Sequence, residues 1–356
     1  MEAPKVIKGV SQPPNVNLSS VRKLRKKRQE LSVETFVEGI LKGDRVRLGQ
    51  AITLIESTKS SHQAKAQAII NTCLPHTGKS FRLGITGSPG VGKSTFIESY
   101  GQHIIQQGHQ VAVLAVDPSS QISQGSILGD KTRMFNLSTH PKAFIRPSPA
   151  GESLGGVARK TRETIMLCEA AGYDFIIIET VGVGQSEIAV HSMVDFFLLL
   201  LLPGAGDELQ GIKKGIVEMA DLIAINKADG KNATKAKQSR REYGSALHIM
   251  PPKSSGWTPT ATVCAGLSGM GIPDIWDIQQ QYQTKMTDNG FFKNNRQNQS
   301  QYWLHETIQN QLKQLFYENE AVKNVLKEKE NAILKGELSP FKGAEELMDL
   351  FLKNNQ

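Results

Sequence analysis

GSPGVGKST, Gly87 to Thr95, is the stretch that decides the fold. It fits the phosphate-loop pattern G-x-x-x-x-G-K-[ST], with Gly87, Gly92, Lys93 and Ser94 in the fixed positions. A short β-rich run, FRLGIT at 81 to 86, precedes it, and a helical segment from Ser94 to about Gln107 follows. This context matters because such a loop works only where successive backbone N–H groups converge on a phosphate at a helix N-terminus. Gly87 and Gly92 permit backbone conformations that a Cβ forbids. The loop residues assigned to the nucleotide are Gly87, Gly90, Val91, Gly92, Lys93, Ser94 and Thr95. Lys93 reaches the β- and γ-phosphates, which makes it a catalytic candidate, and the Ser94 hydroxyl is a Mg²⁺ ligand candidate.

Outward from this loop, short apolar runs alternate with amphipathic segments: VAVLAVD at 111 to 117, AFIRPS at 143 to 148, DFIIIET at 174 to 180, DFFLLLLLP at 195 to 203, LIAINKAD at 222 to 229 and a weaker ATVCAGL at 261 to 267. Runs apolar on both faces with helices between them predict an α/β domain with a mostly parallel sheet. Ligands of such sheets sit at the carboxyl ends of the strands.

Three helices are expected before this domain, from Ser32 to Leu41, Asp44 to about Ser57 and about Ser61 to Cys73, after a Pro-, Ser- and Asn-rich lead-in. After Gly271 the pattern turns helical again. Ile272 to about Asp288 is one segment, and Gly290 to Ser300 reads as a polar linker. From Gln301 to about Lys335, Leu304, Ile308, Leu312, Leu315, Val322 and Leu326 share one stripe, and a short helix follows Pro340. The expected organisation is a lead-in and helical unit at 1–78, a P-loop domain at 79–289 and a helical region at 290–356. Little else beyond the linker is left to bury the stripe, so it reads as a homodimer surface rather than as packing onto its own domain.

Composition narrows the class. The 356 residues are 39% hydrophobic and 21% charged, and the longest apolar run, Phe196 to Leu202, is far below the roughly 20 residues a membrane span needs. No membrane segment is expected, and the N-terminus lacks the apolar core of a secretory signal. Three widely spaced cysteines, Cys73, Cys168 and Cys264, argue against a disulfide framework and fit a reducing cytoplasm. Much of the net charge of +8 sits in Arg22, Lys23, Arg25, Lys26, Lys27 and Arg28. Without an aromatic platform beside it, this run reads as a solvated arm and not as a nucleic-acid surface.

The remaining polar motifs lie at strand ends. Asp117 in DPSS and Asp130 in GDKTRM are candidates to hold Mg²⁺ directly or through water. Glu179 ends DFIIIET, near the same metal, and Gly182 follows three residues later, where its N–H can sense a γ-phosphate. Small Ras-type switches carry Asp where Glu179 stands, and a water-orienting Gln where this chain has Val183; Gln185, two places on, is the alternative candidate. Slow intrinsic hydrolysis, increased by a partner, is the expectation. Asn226-Lys227-Ala228-Asp229 matches the guanine-reading pattern N-K-x-D: the Asp carboxylate accepts from guanine N1–H and the 2-amino group, a donor pair that adenine lacks. Cys264 and Ala265 are candidates for a last base-contacting loop. The Gly204 to Gly215 segment, GAGDELQGIKKG, leaves the most apolar strand at the nucleotide end of the sheet and reads as an additional switch.

These residues and their flanks resemble the MeaB/ArgK family of P-loop GTPases, formerly called LAO/AO transport kinases, within the SIMIBI class. The resemblance is carried by EGILKGDRVRLGQAITLIES at 38 to 57, LPHTGKSFRLGITGSPGVGKST at 74 to 95, DPSS at 117 to 120, GDKTRM at 129 to 134, SLGGVARKTRE at 153 to 163, ETVGVGQSE at 179 to 187 and NKAD at 226 to 229. It implies a GTPase cycling between GTP and GDP with Mg²⁺, which chaperones an adenosylcobalamin-dependent acyl-CoA mutase, usually methylmalonyl-CoA mutase. It also implies a homodimer held by the C-terminal helices. An ATP-using kinase would need a second substrate pocket and no guanine reader; a metal-insertion GTPase would need clustered Cys and His; a nucleic-acid-associated GTPase would use the basic run.

Overall fold

The computed structural model describes residues 31–116, 134–147, 154–180, 186–204 and 214–353. Asp117, Asp130, Gly182, Gln185, the basic run at 22–28 and the segment 205–213 therefore lie outside the described residues.

Helices α1 (Val33–Leu41), α2 (Arg45–Glu56) and α3 (Ser60–Cys73) come first. Ser32 Oγ accepts from Thr35 N at 3.3 Å and Asp44 Oδ1 from Val46 N at 2.8 Å, which satisfies amide groups that the first turns leave unpaired. Their apolar faces, Phe36, Ile40, Leu48, Ile52, Ile69 and Cys73 among them, join the hydrophobic core of the sheet domain. This helical unit thus packs as part of the domain that follows it.

The alternating region is β1 (Phe81–Gly87), α4 (Lys93–Gln106), β2 (Val111–Val116), α5 (Phe135–Thr139), β3 (Ala143–Arg146), α6 (Leu154–Ala170), β4 (Phe175–Thr180), α7 (Ser186–His191), β5 (Phe196–Leu201), α8 (Lys214–Met219), β6 (Leu222–Ile225), α9 (Ala233–Ile249) and β7 (Thr260–Val263). The strands form one sheet in the order β3-β2-β4-β1-β5-β6-β7, with every neighbouring pair parallel. Each expected strand is present.

Alternation explains the continuous apolar runs. Phe175 and Ile177 point to the face covered by α4, while Ile176 and Ile178 point to the face covered by α6. Phe196, Leu198 and Leu200 are likewise separated from Phe197, Leu199 and Leu201. Each such side chain stabilises the fold by roughly 1.5–3 kcal/mol on burial. The chain runs from β1 out to β3, returns to insert β4 beside β1, and then continues on the other side with β5. That reversal opens a crevice at the carboxyl ends of the central strands, where ligands of such sheets bind.

Four helices follow: α10 (Ile272–Asp288), α11 (Phe291–Glu318), α12 (Glu320–Leu334) and α13 (Pro340–Lys353). Two expectations are corrected here. The stretch 290–300 is no linker. Gly290, at φ 73°, makes the turn, and α11 begins immediately after it. Arg296 then pairs with Asp195 at 2.6 Å, and Gln299 Nε2 donates to the Val194 carbonyl at 2.7 Å. These anchors hold a polar sequence helical against the domain. The long stripe is also broken. Asn319 has an extended backbone, and its side chain accepts from Ala321 N at 3.0 Å and Val322 N at 3.2 Å, ending one helix and capping the next. Leu304, Ile308, Leu312 and Leu315 stay exposed on α11, whereas Val322 is fully buried and α12 packs on α13. Among the described residues, no helix is long and apolar enough to cross a membrane.

Candidate nucleotide site

Three loops meet at the carboxyl edge of the sheet. The first is the phosphate loop between β1 and α4. Gly87 closes β1 opposite Leu200 of β5, and a Cβ there would overlap the Leu200 carbonyl oxygen. Gly90 and Gly92 have φ of 80° and 95°, in the region that glycine alone enters without strain. Val91 is buried beneath the loop, Ser94 is half-buried and Thr95 is exposed. The Lys93 ammonium folds back on the loop, donating to the carbonyls of Gly87 at 2.7 Å and Ser88 at 3.4 Å. Burial pushes its pKa down, while the Glu179 and Glu187 carboxylates oppose that and favour the charged form.

The second loop follows β6. Asn226 is 2% exposed, and its Nδ2 donates to the Val91 carbonyl at 2.9 Å. Its Oδ1 accepts from Gly266 N at 3.0 Å and from the Cys264 thiol at 3.6 Å. Lys227 lies at φ 58°, an uncommon conformation for a residue with a Cβ, and its ammonium donates to the Gly90 carbonyl at 2.7 Å. The stem passes beside Gly92. Asp229 is exposed and precedes a short 3₁₀ turn.

The third loop leaves β7. Cys264 and Ala265 are buried, and burial pushes the Cys264 thiol pKa up to about 12, so it is a neutral packing group. The Cys264 carbonyl accepts from Ala228 N at 3.0 Å, which joins this loop to the Asn226 segment. Glu179, 6% exposed, lies at the carboxyl end of β4, in register with Ile85 of β1 and Ala115 of β2. One residue later, the Thr180 hydroxyl donates to Thr86 Oγ1 at 2.8 Å, tying the end of β4 to the start of the phosphate loop.

The structure thus gathers Gly87 to Thr95, Glu179, Asn226, Lys227, Asp229, Cys264 and Ala265 at one edge. Two contributors escaped sequence reasoning. Ser99 donates from Oγ to the Gly266 carbonyl, locking α4 to the third loop, and its one signal was a hydroxyl on a helix face otherwise made of Phe96 and Tyr100. Glu187 is 1% exposed and acts electrostatically on Lys93, but its sequence position suggests only a helix start. Among the described residues, no three His, Cys, Asp or Glu side chains come together as a metal-binding group.

A parallel sheet whose first strand delivers a phosphate loop, with an N-K-x-D segment hydrogen-bonded onto that loop, defines a P-loop GTPase. Comparison with known proteins agrees. A family model described as "Methylmalonyl Co-A mutase-associated GTPase MeaB" matches residues 48–321, and the chain belongs to that family. It is 49% identical over 321 residues to a putative GTPase of Caulobacter vibrioides, covering 90% of this chain and 98% of the relative. It is 44% identical to GTPase ArgK of Escherichia coli over 320 residues, covering 90% and 97% of the two chains. A mouse protein named methylmalonic aciduria type A homolog, mitochondrial, is 45% identical over 334 residues, 91% of this chain and 80% of that one. Among solved structures, an LAO/AO transport system kinase superposes with a TM-score of 0.72 at 38% identity, covering 91% of this chain and 99% of the other.

Proposed function

We propose that this GTPase is a nucleotide-timed chaperone of an adenosylcobalamin-dependent acyl-CoA mutase, methylmalonyl-CoA mutase in the first place, gating its cofactor loading and protecting it from inactivation. The carrying observation is the family match across residues 48–321, to a family described as mutase-associated.

The site's geometry supports guanine nucleotide as the ligand. Glycines at 87, 90 and 92 open a cradle of backbone amides, and Lys93 rests on carbonyls that a phosphate can replace as its partner. Asp229 is exposed where a base can reach it, and the Lys227 stem passes beside Gly92. Ser94, Asp117, Asp130 and Glu179 are the residues that would hold Mg²⁺, which when bound neutralises charge on the β- and γ-oxygens. Lys93 then supplies the second positive charge, and Gly182 with the 204–215 segment senses the γ-phosphate.

Val183 occupies the place of a water-orienting Gln, and Gln185 is the nearest replacement. Slow intrinsic turnover, stimulated by the client, follows. The difference between the GTP and GDP states biases the client only by as much as the client binds the two differently. The exposed leucines of α11 support a homodimer through the C-terminal helices, and the three buried free thiols suit a reducing cytoplasm.

The deciding experiment is capture of purified adenosylcobalamin-dependent mutases on this protein loaded with GTP or GDP. Nucleotide-dependent capture of methylmalonyl-CoA mutase is the expected result. Equal capture in both states, or none, refutes the chaperone reading while leaving the GTPase intact.

A further inference from the structure

Strands β1 and β4 run side by side up to Ile85, which stands opposite Glu179, and there their paired register ends. Beyond that point each follows its other neighbour. β1 continues along β5, with Thr86 and Gly87 opposite Leu199 and Leu200, and β4 continues along β2, with Thr180 opposite Val116. The two strands part where one becomes the phosphate loop and the other enters the segment 181–185. Across this parting the Thr180 hydroxyl donates to Thr86 Oγ1 at 2.8 Å, and the two residues are 0% and 2% exposed.

Side-chain alternation separates this bond from the carboxylate beside it. Leu83 and Ile85 of β1 and Ile177 of β4 belong to the α4 side of the core, and Glu179 continues that side of β4. Lys93, the first residue of α4, feels the Glu179 charge from there. Thr86 and Thr180 lie on the opposite face, the one that carries Ile176 and Ile178. The hydroxyl bond therefore closes the parting strands from behind the carboxylate. An apolar pair of the same shape would fill this place with no hydroxyls to satisfy, and such a replacement is close to neutral for stability. Packing alone gives no reason for two threonines here. What a hydrogen bond adds is a narrow range of length and direction between the two chains that it joins.

We propose that Thr86 and Thr180 are positioning residues for GTP hydrolysis, their hydrogen bond setting the distance between the phosphate loop and the Glu179 end of β4, a role that rests on Glu179 standing at the metal side of the site. On its β5 side the loop is fixed by main chain, since Gly87 leaves no room for a Cβ against the Leu200 carbonyl oxygen. On its β4 side the threonine bond is the corresponding tie. Without it, the end of β4 is free to shift against the loop. Hydrolysis depends on the alignment of water, γ-phosphate and metal, and a misplacement of about 1 Å costs on the order of 10²-fold in rate. Nucleotide affinity, spread over the loop amides and the base, depends on that spacing much less.

The test is single-turnover GTP hydrolysis by the full-length protein, with affinity measured separately on a fluorescent GDP analogue. Thr180→Val and Thr86→Val are each expected to slow hydrolysis by at least about tenfold while affinity stays within about twofold. Thr180→Ser keeps the hydroxyl and is expected to restore most of the rate. The double valine variant should be no slower than the slower single one, because both changes remove the same bond. A Thr180→Val rate within about twofold of the parent overturns the proposal. So does a Thr180→Ser variant as slow as Thr180→Val, or a valine variant that loses rate and affinity together, since the residues then serve packing alone. Glu179→Gln, read by the Mg²⁺ concentration at half-maximal rate, tests the metal reading by itself. An unchanged Mg²⁺ requirement there removes Glu179 from the metal, while slow valine variants with intact affinity still establish the spacing role of the threonines.

Discussion

The side-chain amide of Asn226 donates a 2.9 Å hydrogen bond to the main-chain carbonyl of Val91, so the N-K-x-D segment is fastened directly to the Gly87–Thr95 loop. With Oδ1 accepting from Gly266 N, one 2% exposed side chain spans three loops from distant parts of the sequence.

Asn226→Ala should therefore act on the whole site. It leaves the Val91 carbonyl and the Gly266 amide buried without partners, each costing about 1–3 kcal/mol. Affinity for GTP and GDP should fall alike, by at least about tenfold, in titrations with a fluorescent nucleotide. An unchanged affinity would show that the clamp is incidental.

Asp229→Asn has a narrower expected effect. The exposed carboxylate is the proposed partner of guanine N1–H and the 2-amino group. An amide presents a donor in its place, so preference should move from GTP toward xanthosine triphosphate, read by competition between the two nucleotides. Retained GTP preference would refute the base-reading role.

Gly87→Ala tests the cradle. A Cβ there overlaps the Leu200 carbonyl oxygen, which belongs to a central strand and has nowhere to retreat. Nucleotide binding should be lost and the melting temperature lowered. Gly108→Ala is the contrast: its Cβ meets nothing nearby, and although φ of 101° makes the substitution strained, nucleotide affinity should be unchanged.

Arg296→Met should loosen the C-terminal helices from the domain. Arg296 pairs with Asp195 at 2.6 Å and donates to the Gly78 carbonyl at 2.9 Å, with side chains 14% and 2% exposed. Removing one member of such a pair costs about 3–5 kcal/mol. Urea unfolding should show that loss, and amide exchange along 291–303 should rise more than exchange in β1 or β4.

Leu312→Glu probes the proposed dimer. Leu312 is 57% exposed on the stripe it shares with Leu304 and Leu315. A charge there should shift the protein to monomer in light scattering while leaving its melting temperature within a degree or two of the original. A dimer unaffected by the change would place the interface elsewhere.

The strands were legible because each is a run apolar on both faces, which few structures other than a covered parallel sheet can bury. The phosphate loop was legible because its glycines and lysine stand at a spacing set by local backbone geometry. The C-terminal helices were less so. Asn294, Asn295, Gln297 and Gln299 read as linker by local propensity, and tertiary anchors such as Arg296 on Asp195 and Gln299 on the Val194 carbonyl, about a hundred residues away in sequence, hold that stretch helical. Asn319 sits inside an apolar stripe that continues past it, and its capping role depends on a backbone conformation that periodicity does not register.

By itself, then, the amino-acid sequence determined the class of sheet, the phosphate-loop pattern and the N-K-x-D motif, since each arises from patterns spanning a few consecutive residues. Only the tertiary structure decided how Asn226 binds the loops together and that Ser99 and Glu187 join the candidate site. Those features come from side chains that meet only after the chain has crossed the sheet, and no local pattern records such encounters.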